Sequence, residues 1–175
     1  TWDLTRYFPS LESEEFHTEV EEVKALITSS VDAVDAAVNN PDSDPVTVAA
    51  NYLERAKELS LRLGLIFPYI TGHIAVNSRD SQAIKAMSEM QIAMIPLRQA
   101  QTRFSAWLGD QDVEAIIAGS EIAKEHAFIL RQGKIDATYL MSEAEEALAS
   151  ELTLSGGSAW GEMKSQVASR SEERR

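Results

Sequence analysis

The sequence of 175 residues contains no cysteine. Disulfides and thiolate metal sites are therefore excluded, and a chain without cysteine fits the reducing cytoplasm, where we expect the protein to work. Long apolar runs are also missing. The longest one, 63–70, is short and contains Gly64 and Pro68. A run of about 18 apolar residues is needed to cross a bilayer, so we expect no membrane-spanning segment.

Acidic side chains outnumber basic ones in this sequence. The chain has 16 Lys and Arg against 28 Asp and Glu, which gives a formal net charge of −12. Proteins that bind nucleic acid need a basic surface to release counterions from phosphates, and an acidic surface is also repelled by anionic lipids. We therefore expect neither nucleic acid nor a membrane as a partner.

Apolar residues recur every three or four positions, which is the period of an α-helix, whereas no segment alternates strictly as a half-buried strand would. The first helix shows this best, with apolar residues at Phe16, Val20, Val23, Ile27, Val31, Val34 and Val38. The pattern predicts long helices over about 12–38, 45–76 and 80–108, and shorter ones over about 112–132, 142–153 and 158–173. We predict one all-α domain over 1–175, a multi-helix bundle of long, kinked, antiparallel helices with an extended N-terminal arm at 1–10.

Local signals set the boundaries of the long helices. Asn39 precedes Asn40 and Pro41, and asparagine tolerates the left-handed conformation that ends many helices. Asp44 is a predicted N-cap with Pro45 at the first helical position, and Asp80 is a predicted cap for the third helix. Proline inside a helix removes a donor and clashes one turn back, so Pro68 and Pro96 predict kinks, with a break near Phe67 as the alternative to the first.

The shorter helices have their own signals. Asp112 or Ser120 is predicted to start the first group, and Gly133 to close it. Ser142 and Glu145 have the spacing of a capping box. Gly156-Gly157 is predicted to end that helix, with Ser158 as the cap of a last one.

Three histidines, His17, His73 and His126, are the only candidate zinc ligands of their type. A zinc-binding helix needs two histidines one turn apart, and none of the three has a second histidine three or four residues away. A structural role is the preferred interpretation for each. We therefore predict no catalytic, cofactor-binding or metal-binding residue in this chain.

Other motifs also have a plain structural interpretation beside a functional one. Gly156-Gly157-Ser158 has the composition of an anion-binding nest, but a helix break needs fewer assumptions. Met87, Met90 and Met94 have helical spacing and would line an adaptable peptide groove or, more simply, fill a core. The acidic residues Glu143, Glu145 and Glu146 are typical of a solvated helix face.

Both ends of the sequence resemble one family. Trp2-Asp3-Leu4 followed by Phe8-Pro9-Ser10 is similar to the opening of oligoendopeptidase F-type metallopeptidases, the M3B branch of peptidase family M3. The segment from Tyr139 through the Gly-Gly pair to Trp160 resembles the one that closes the N-terminal helical region of the same family. Between these ends the agreement is in helical character only.

The resemblance implies a lid or channel wall in a zinc-dependent peptidase that hydrolyses internal bonds of short peptides. Its His-Glu-x-x-His zinc motif is absent here, so the zinc and the chemistry would belong to a C-terminal catalytic domain, and the 175-residue chain is predicted to be inactive alone. The sequence begins at Thr1 and stops within a charged run, and we expect it to be part of a longer protein.

Two other classes remain open. One is a non-catalytic interaction module that binds a partner helix or a peptide in an apolar groove, and the other is a structural helical bundle without a ligand. A lid domain separated from its partner would expose a large apolar patch and would form a homodimer through it. The expected partners are therefore the catalytic domain, short peptides as substrates of the longer protein, and a second copy.

Overall fold

A computed structural model describes residues 5–161, 163–164 and 167 of the chain. This part of the chain is all-α, as predicted, and contains no strand. It forms seven α-helices and one π-helical turn. Their bounds are α1 Glu14–Val38, α2 Pro45–Val76, α3 Ser81–Gly109, α4 Val113–Gly119, α5 Glu121–Glu125, α6 Ala127–Ala137, α7 Glu143–Thr153 and the π turn Leu154–Ser158.

The long helices start where their capping residues predict. The Asp44 carboxylate accepts hydrogen bonds from the amides of Val46 and Thr47, and Pro45 occupies the first helical position. The bonds from Thr47, first its hydroxyl and then its amide, hold the pKa of Asp44 below its ordinary value. Asp80 caps α3 in the same way, with its carboxylate 3.1 Å from the amide nitrogens of Gln82 and Ala83.

Some predicted irregularities are not found. Asn39 ends α1 with a φ of −85°, in the right-handed region, so the left-handed cap is wrong. Its amide side chain instead donates to the Asp35 carbonyl oxygen at 2.7 Å, and the same oxygen accepts the backbone amide of Asn39 at 3.2 Å. α2 runs through Pro68 and α3 through Pro96, so the break near Phe67 does not occur, and the two kinks stay predictions.

Two helices were predicted to end at glycine, one at Gly133 and one at Gly156-Gly157, and neither ends there. α6 continues through Gly133 to Ala137. Gly156 and Gly157 lie inside the π turn, and the helix resumes at Ala159, so there is no break for Ser158 to cap. Glycine in a helix costs about 1 kcal/mol relative to alanine, which weakens a helix without stopping it. Of the last predicted helix, 158–173, residues 162, 165–166 and 168–173 lie outside the described residues.

The extended arm is not confirmed. Residues 1–4 lie outside the described range, and residues 5–13 form turns. Phe8 and Leu11 from this segment are buried, and the Tyr69 hydroxyl donates to the Phe8 carbonyl oxygen at 3.2 Å. The edge-to-face contact of Phe8 with Tyr69 explains why this segment belongs to the core.

Contacts between the three long helices give their directions. Arg62 of α2 pairs with Glu19 and Glu22 of α1 at 3.2 and 2.8 Å, while Arg55 of α2 reaches Ser29 further along α1. Residue numbers fall on α2 as they rise on α1, so α1 and α2 are antiparallel. Arg103 of α3 pairs with Asp35 at 2.7 Å, while Gln82 bonds Glu12. α3 is therefore parallel to α1.

The bundle has two apolar cores along its length. The proximal core surrounds the turn segment at residues 5–13 and contains the fully buried Ile66, Ile70 and Met90. Met87 and Met94 are partly buried against it, so Met90 fills the core, while Met94 also lines the groove described below. The distal core lies at the other end of the bundle, where α4, α5 and α6 pack against the long helices. It contains Leu53, Phe104, Ile116 and Leu130.

Small residues bring the short helices close to the bundle. A Cβ atom at Gly119, the end of α4, would lie only 2.8 Å from Cγ2 of Val46 on α2. A Cβ at Gly109, the end of α3, would lie 2.9 Å from Cβ of Ala137 on α6. Both contacts are too short for a real side chain, so glycine is what permits these helix ends to meet.

Candidate functional site

The three histidines lie apart from one another in the fold. His17 is exposed on α1, and His126 lies at the junction of α5 and α6. His73 is half-buried on α2 with its ring edge against Tyr69, and its Nε2 atom is buried without a hydrogen-bond partner in the described part of the chain. The structural role of each histidine stays a prediction.

Possible zinc ligands do not cluster in the described residues. Within 5–161, 163–164 and 167, no group of three or more His, Asp or Glu side chains could hold a metal ion. The side chains here therefore do not fit the zinc of the resembling family. The anion nest at Gly156-Gly157 also lacks its geometry, since a nest needs a left-handed residue and no described residue has a positive φ.

A row of exposed apolar side chains follows α7 and its continuation. We call it the C-terminal row, and it consists of Leu148, Leu152, Trp160, Met163 and Val167. Trp160 is 68% exposed and Leu152 is 59% exposed. Side chains of this size are usually found in cores or interfaces, so this face lacks an apolar partner in the described structure.

The π turn keeps the row on one face of the helix. Leu148 and Leu152 are one turn apart, as are Met163 and Val167, but Leu152 and Trp160 are separated by one residue more than two regular turns. A π turn accommodates one additional residue. The turn at Leu154–Ser158 therefore places Trp160 on the same face of the helix as the two leucines. Gly156 and Gly157 lie within this turn, so the glycine pair is part of what aligns the row.

A groove lies where α2 separates from the pair formed by α1 and α3. Its volume is about 550 Å³. Its walls are mostly apolar, with Leu59, Leu63 and Phe67 from α2 and Met94 and Leu97 from α3. Small residues leave the space open, and these are Ala33, Ala37, Ala56, Gly64 and Ala100.

One end of the groove is an aromatic wall. The rings of Tyr52 and Phe104 stack with centroids 3.6 Å apart and an interplanar angle of 8°. Burial of the Tyr52 side chain raises its pKa above the ordinary value. Besides Tyr52 and Arg55, the polar residues that line the groove are Ser30, Asn51, Ser60 and Gln101. Ser30, the buried one, donates to the Leu26 carbonyl oxygen at 2.7 Å.

Arg55 is the cation of this groove. Its Nη1 atom donates to the Ser29 hydroxyl at 3.1 Å, and no described carboxylate lies within ion-pair distance of it. Its neighbour on the helix differs, because Arg62 is held by three carboxylates, of Glu19, Glu22 and Glu58. These carboxylates, with the Glu22 bond as the largest cause, raise the pKa of Arg62.

The expectation of no membrane-spanning segment is not fully met. α2, Pro45–Val76, is long and apolar enough to cross a bilayer by length and composition. The core helix of a bundle passes the same test, and the buried side chains of α2, among them Ile66 and Ile70, belong to the proximal core. The helix is therefore weak evidence for a membrane.

Comparison of the chain with protein-family models, with curated proteins and with solved structures finds no match in any of the three. The resemblance to oligoendopeptidases rests on the two end segments of the sequence. An apolar groove was one open alternative from the sequence, without a location, although Ala33 and Ala37 on α1 and Ala56 on α2 recur on its walls at helical positions. That recurrence of small residues is the signal that points to it.

Proposed function

We propose that this chain is the N-terminal helical domain, a lid or channel wall, of a zinc-dependent oligoendopeptidase that hydrolyses internal bonds of short peptides. The observation that carries the proposal is the C-terminal row. Trp160 belongs to the segment that resembles the family, and it is exposed rather than packed in this bundle. A side chain that packs at the junction with a catalytic domain would be exposed in this way.

The chemistry of such an enzyme would lie outside these residues. A zinc-activated water would attack the peptide bond, with the glutamate of the zinc motif as general base. The described residues would instead shape the channel and exclude folded chains from it. The purified 175-residue chain should therefore leave fluorogenic peptides uncut with or without zinc, and cleavage that a chelator abolishes would contradict this.

The first test is the reading frame beyond Arg175. A His-Glu-x-x-His motif with a further glutamate downstream is the expected result. The longer protein should then cut a quenched fluorogenic peptide in a zinc-dependent manner. A stop codon with no such motif would overturn the proposal.

A second test asks whether the C-terminal row contacts the catalytic domain. In the longer protein, L152A with W160A should lower thermal stability and kcat/KM together, because the junction between the domains loses apolar contacts. The matched control is F128A, since Phe128 is also exposed but lies on α6, outside the row. Equal behaviour of the two variants would contradict a junction at the row.

The same row favours a second candidate function. Apolar side chains at one-turn spacing on an exposed helix are what a partner helix recognises, so a non-catalytic interaction module would use the same face. The reading frame separates the two functions. Without a zinc motif, substitution of Trp160 should abolish a helix-mediated complex instead of a peptidase activity.

A further inference from the structure

We propose that the groove between α1, α2 and α3 binds a long-chain carboxylate, with its carboxyl group at Arg55 and its chain along Leu59, Leu63 and Phe67. The inference is independent of the peptidase proposal, since neither the zinc motif nor the C-terminal row enters it. A groove of this size is wider than the close packing of side chains between neighbouring helices normally leaves. Ligand pockets, in contrast, commonly have volumes of about 300–1,000 Å³ and mostly apolar walls.

The shape of the groove selects an extended chain. Its walls on α2 run from Val48 to Phe67, which is about 28 Å at 1.5 Å per residue. An extended alkyl chain can follow such walls over their whole length, with its methylenes against the apolar side chains.

Arg55 divides the groove into a shorter part towards Val48 and a longer part towards Phe67, and the longer part sets the length of the ligand. From Arg55 to Phe67 the groove extends about 18 Å along α2. An extended chain of sixteen carbons is about 19 Å long, given carbon–carbon bonds of about 1.5 Å in a zigzag. A chain of that length would reach from the guanidinium group to the wall formed by Phe67 and Met94.

Charge complementarity explains why the ligand is an acid. The protein has a net charge of −12, so it repels anions in general. At the groove, however, Arg55 has donors that no described carboxylate uses. A ligand carboxylate there would accept charge-assisted hydrogen bonds while its chain leaves water against apolar walls.

The experiment is titration of the purified chain with hexadecanoate below its micelle concentration, by calorimetry. We expect one site per chain, with octanoate at least about a hundredfold weaker, because octanoate has eight fewer methylenes to bury against the apolar walls. Hexadecanol, which has the same chain without the charge, should bind about tenfold more weakly than hexadecanoate because it forms no charge-assisted hydrogen bond with Arg55. Absence of binding, or equal affinity for acid and alcohol, would overturn the proposal.

Two pairs of variants place the ligand in the groove. R55Q should weaken binding about five- to tenfold, since it removes a charge-assisted bond, whereas K57Q removes the same charge from the exposed face of α2 and should have no effect. Gly64 has open space around an added Cβ, so G64F should fill the groove without a backbone clash and reduce affinity more than tenfold. Its control is G157F, which is equally open but lies outside the groove.

Other occupants give different results. Adsorption to the C-terminal row would be abolished by W160A and unaffected by G64F, which would overturn the groove site. If a second copy of the chain fills the groove, sedimentation would show a dimer that G64F dissociates, and hexadecanoate would not bind. Thermal unfolding of each variant confirms that it folds before its affinity is compared.

Discussion

The α1–α3 bundle and the helix that begins at Glu143 have similar amphipathic patterns, but the bundle buries apolar side chains, whereas Leu148 and Leu152 of the second helix are exposed. Ile66 at the centre of the bundle is 0% exposed, whereas Leu152 on α7 is 59% exposed. Helix formation therefore follows the pattern in both regions, while burial requires a second apolar surface. The bundle supplies that surface from its own helices. For the C-terminal row, we propose that another domain supplies it.

The largest expected effect is on stability when a leucine-sized side chain is truncated in each region. I66A should lower the free energy of unfolding by about 2–5 kcal/mol, because it leaves a cavity in a packed core. L152A should change it by less than about 0.5 kcal/mol, since the side chain already contacts water. Urea titration monitored by circular dichroism measures both. A loss above 1 kcal/mol for L152A, by the same scale, would mean that α7 packs on the bundle more than its exposure indicates.

A second pair of variants compares glycines in the two regions. G119A should destabilise the protein by about 1–2 kcal/mol, because the added methyl would overlap both γ carbons of Val46, whose side chain has little rotameric freedom. G157A should stabilise it by about 0.5–1 kcal/mol, since the position is helical and open. Thermal melts measure whether G119A lowers and G157A raises the stability of the protein. Destabilisation by G157A would restore the predicted helix break at this pair.

The third expected effect is at a helix start. D80A should lower stability by about 1 kcal/mol, because two amides at the start of α3 lose their acceptor. D80N is the matched control, since asparagine caps nearly as well as aspartate. Chemical denaturation of the three proteins gives the comparison. Equal losses for alanine and asparagine would show that the charge of Asp80, rather than its cap, stabilises α3.

Which features could be predicted from the sequence depends on how locally they are determined. The starts of α2 and α3 were predictable because Asp44 and Asp80 bond amides within three residues. The Gly156-Gly157 break was wrong because the preference of glycine for turns is weak, and a π turn accommodates the pair within a helix. Both glycines are compatible with an ordinary right-handed backbone, so their identity alone does not determine where the helix ends.

The groove was beyond sequence prediction for a different reason. Its volume depends on the distance between α2 and the α1–α3 pair, and periodicity indicates only which face of each helix is apolar. Large residues such as Leu59 and small ones such as Ala56 look equally suitable for a core in sequence. Only the packed helices show that the small residues are not matched by larger ones across the interface, which leaves a space that a ligand can fill.

The smallest expected effect is on the pH dependence of the bundle. Burial raises the pKa of Tyr52 above its ordinary value, so the folded protein retains this proton at a pH where the unfolded chain releases it. The unfolded state then binds fewer protons, and stability is present below the unfolded pKa of about 10 and is lost as pH rises from there through the folded pKa.

Y52F should therefore lose less stability than the wild type between about pH 8 and about pH 10.5. Y139F is the control, since Tyr139 is 80% exposed and should behave like the wild type. Urea midpoints at the two pH values measure the difference, and tyrosinate absorbance reports the titration directly. An identical loss in Y52F and the wild type would mean that the ring stacked on Phe104 is open to hydroxide and water, and therefore that the aromatic end of the groove is less closed than its geometry indicates.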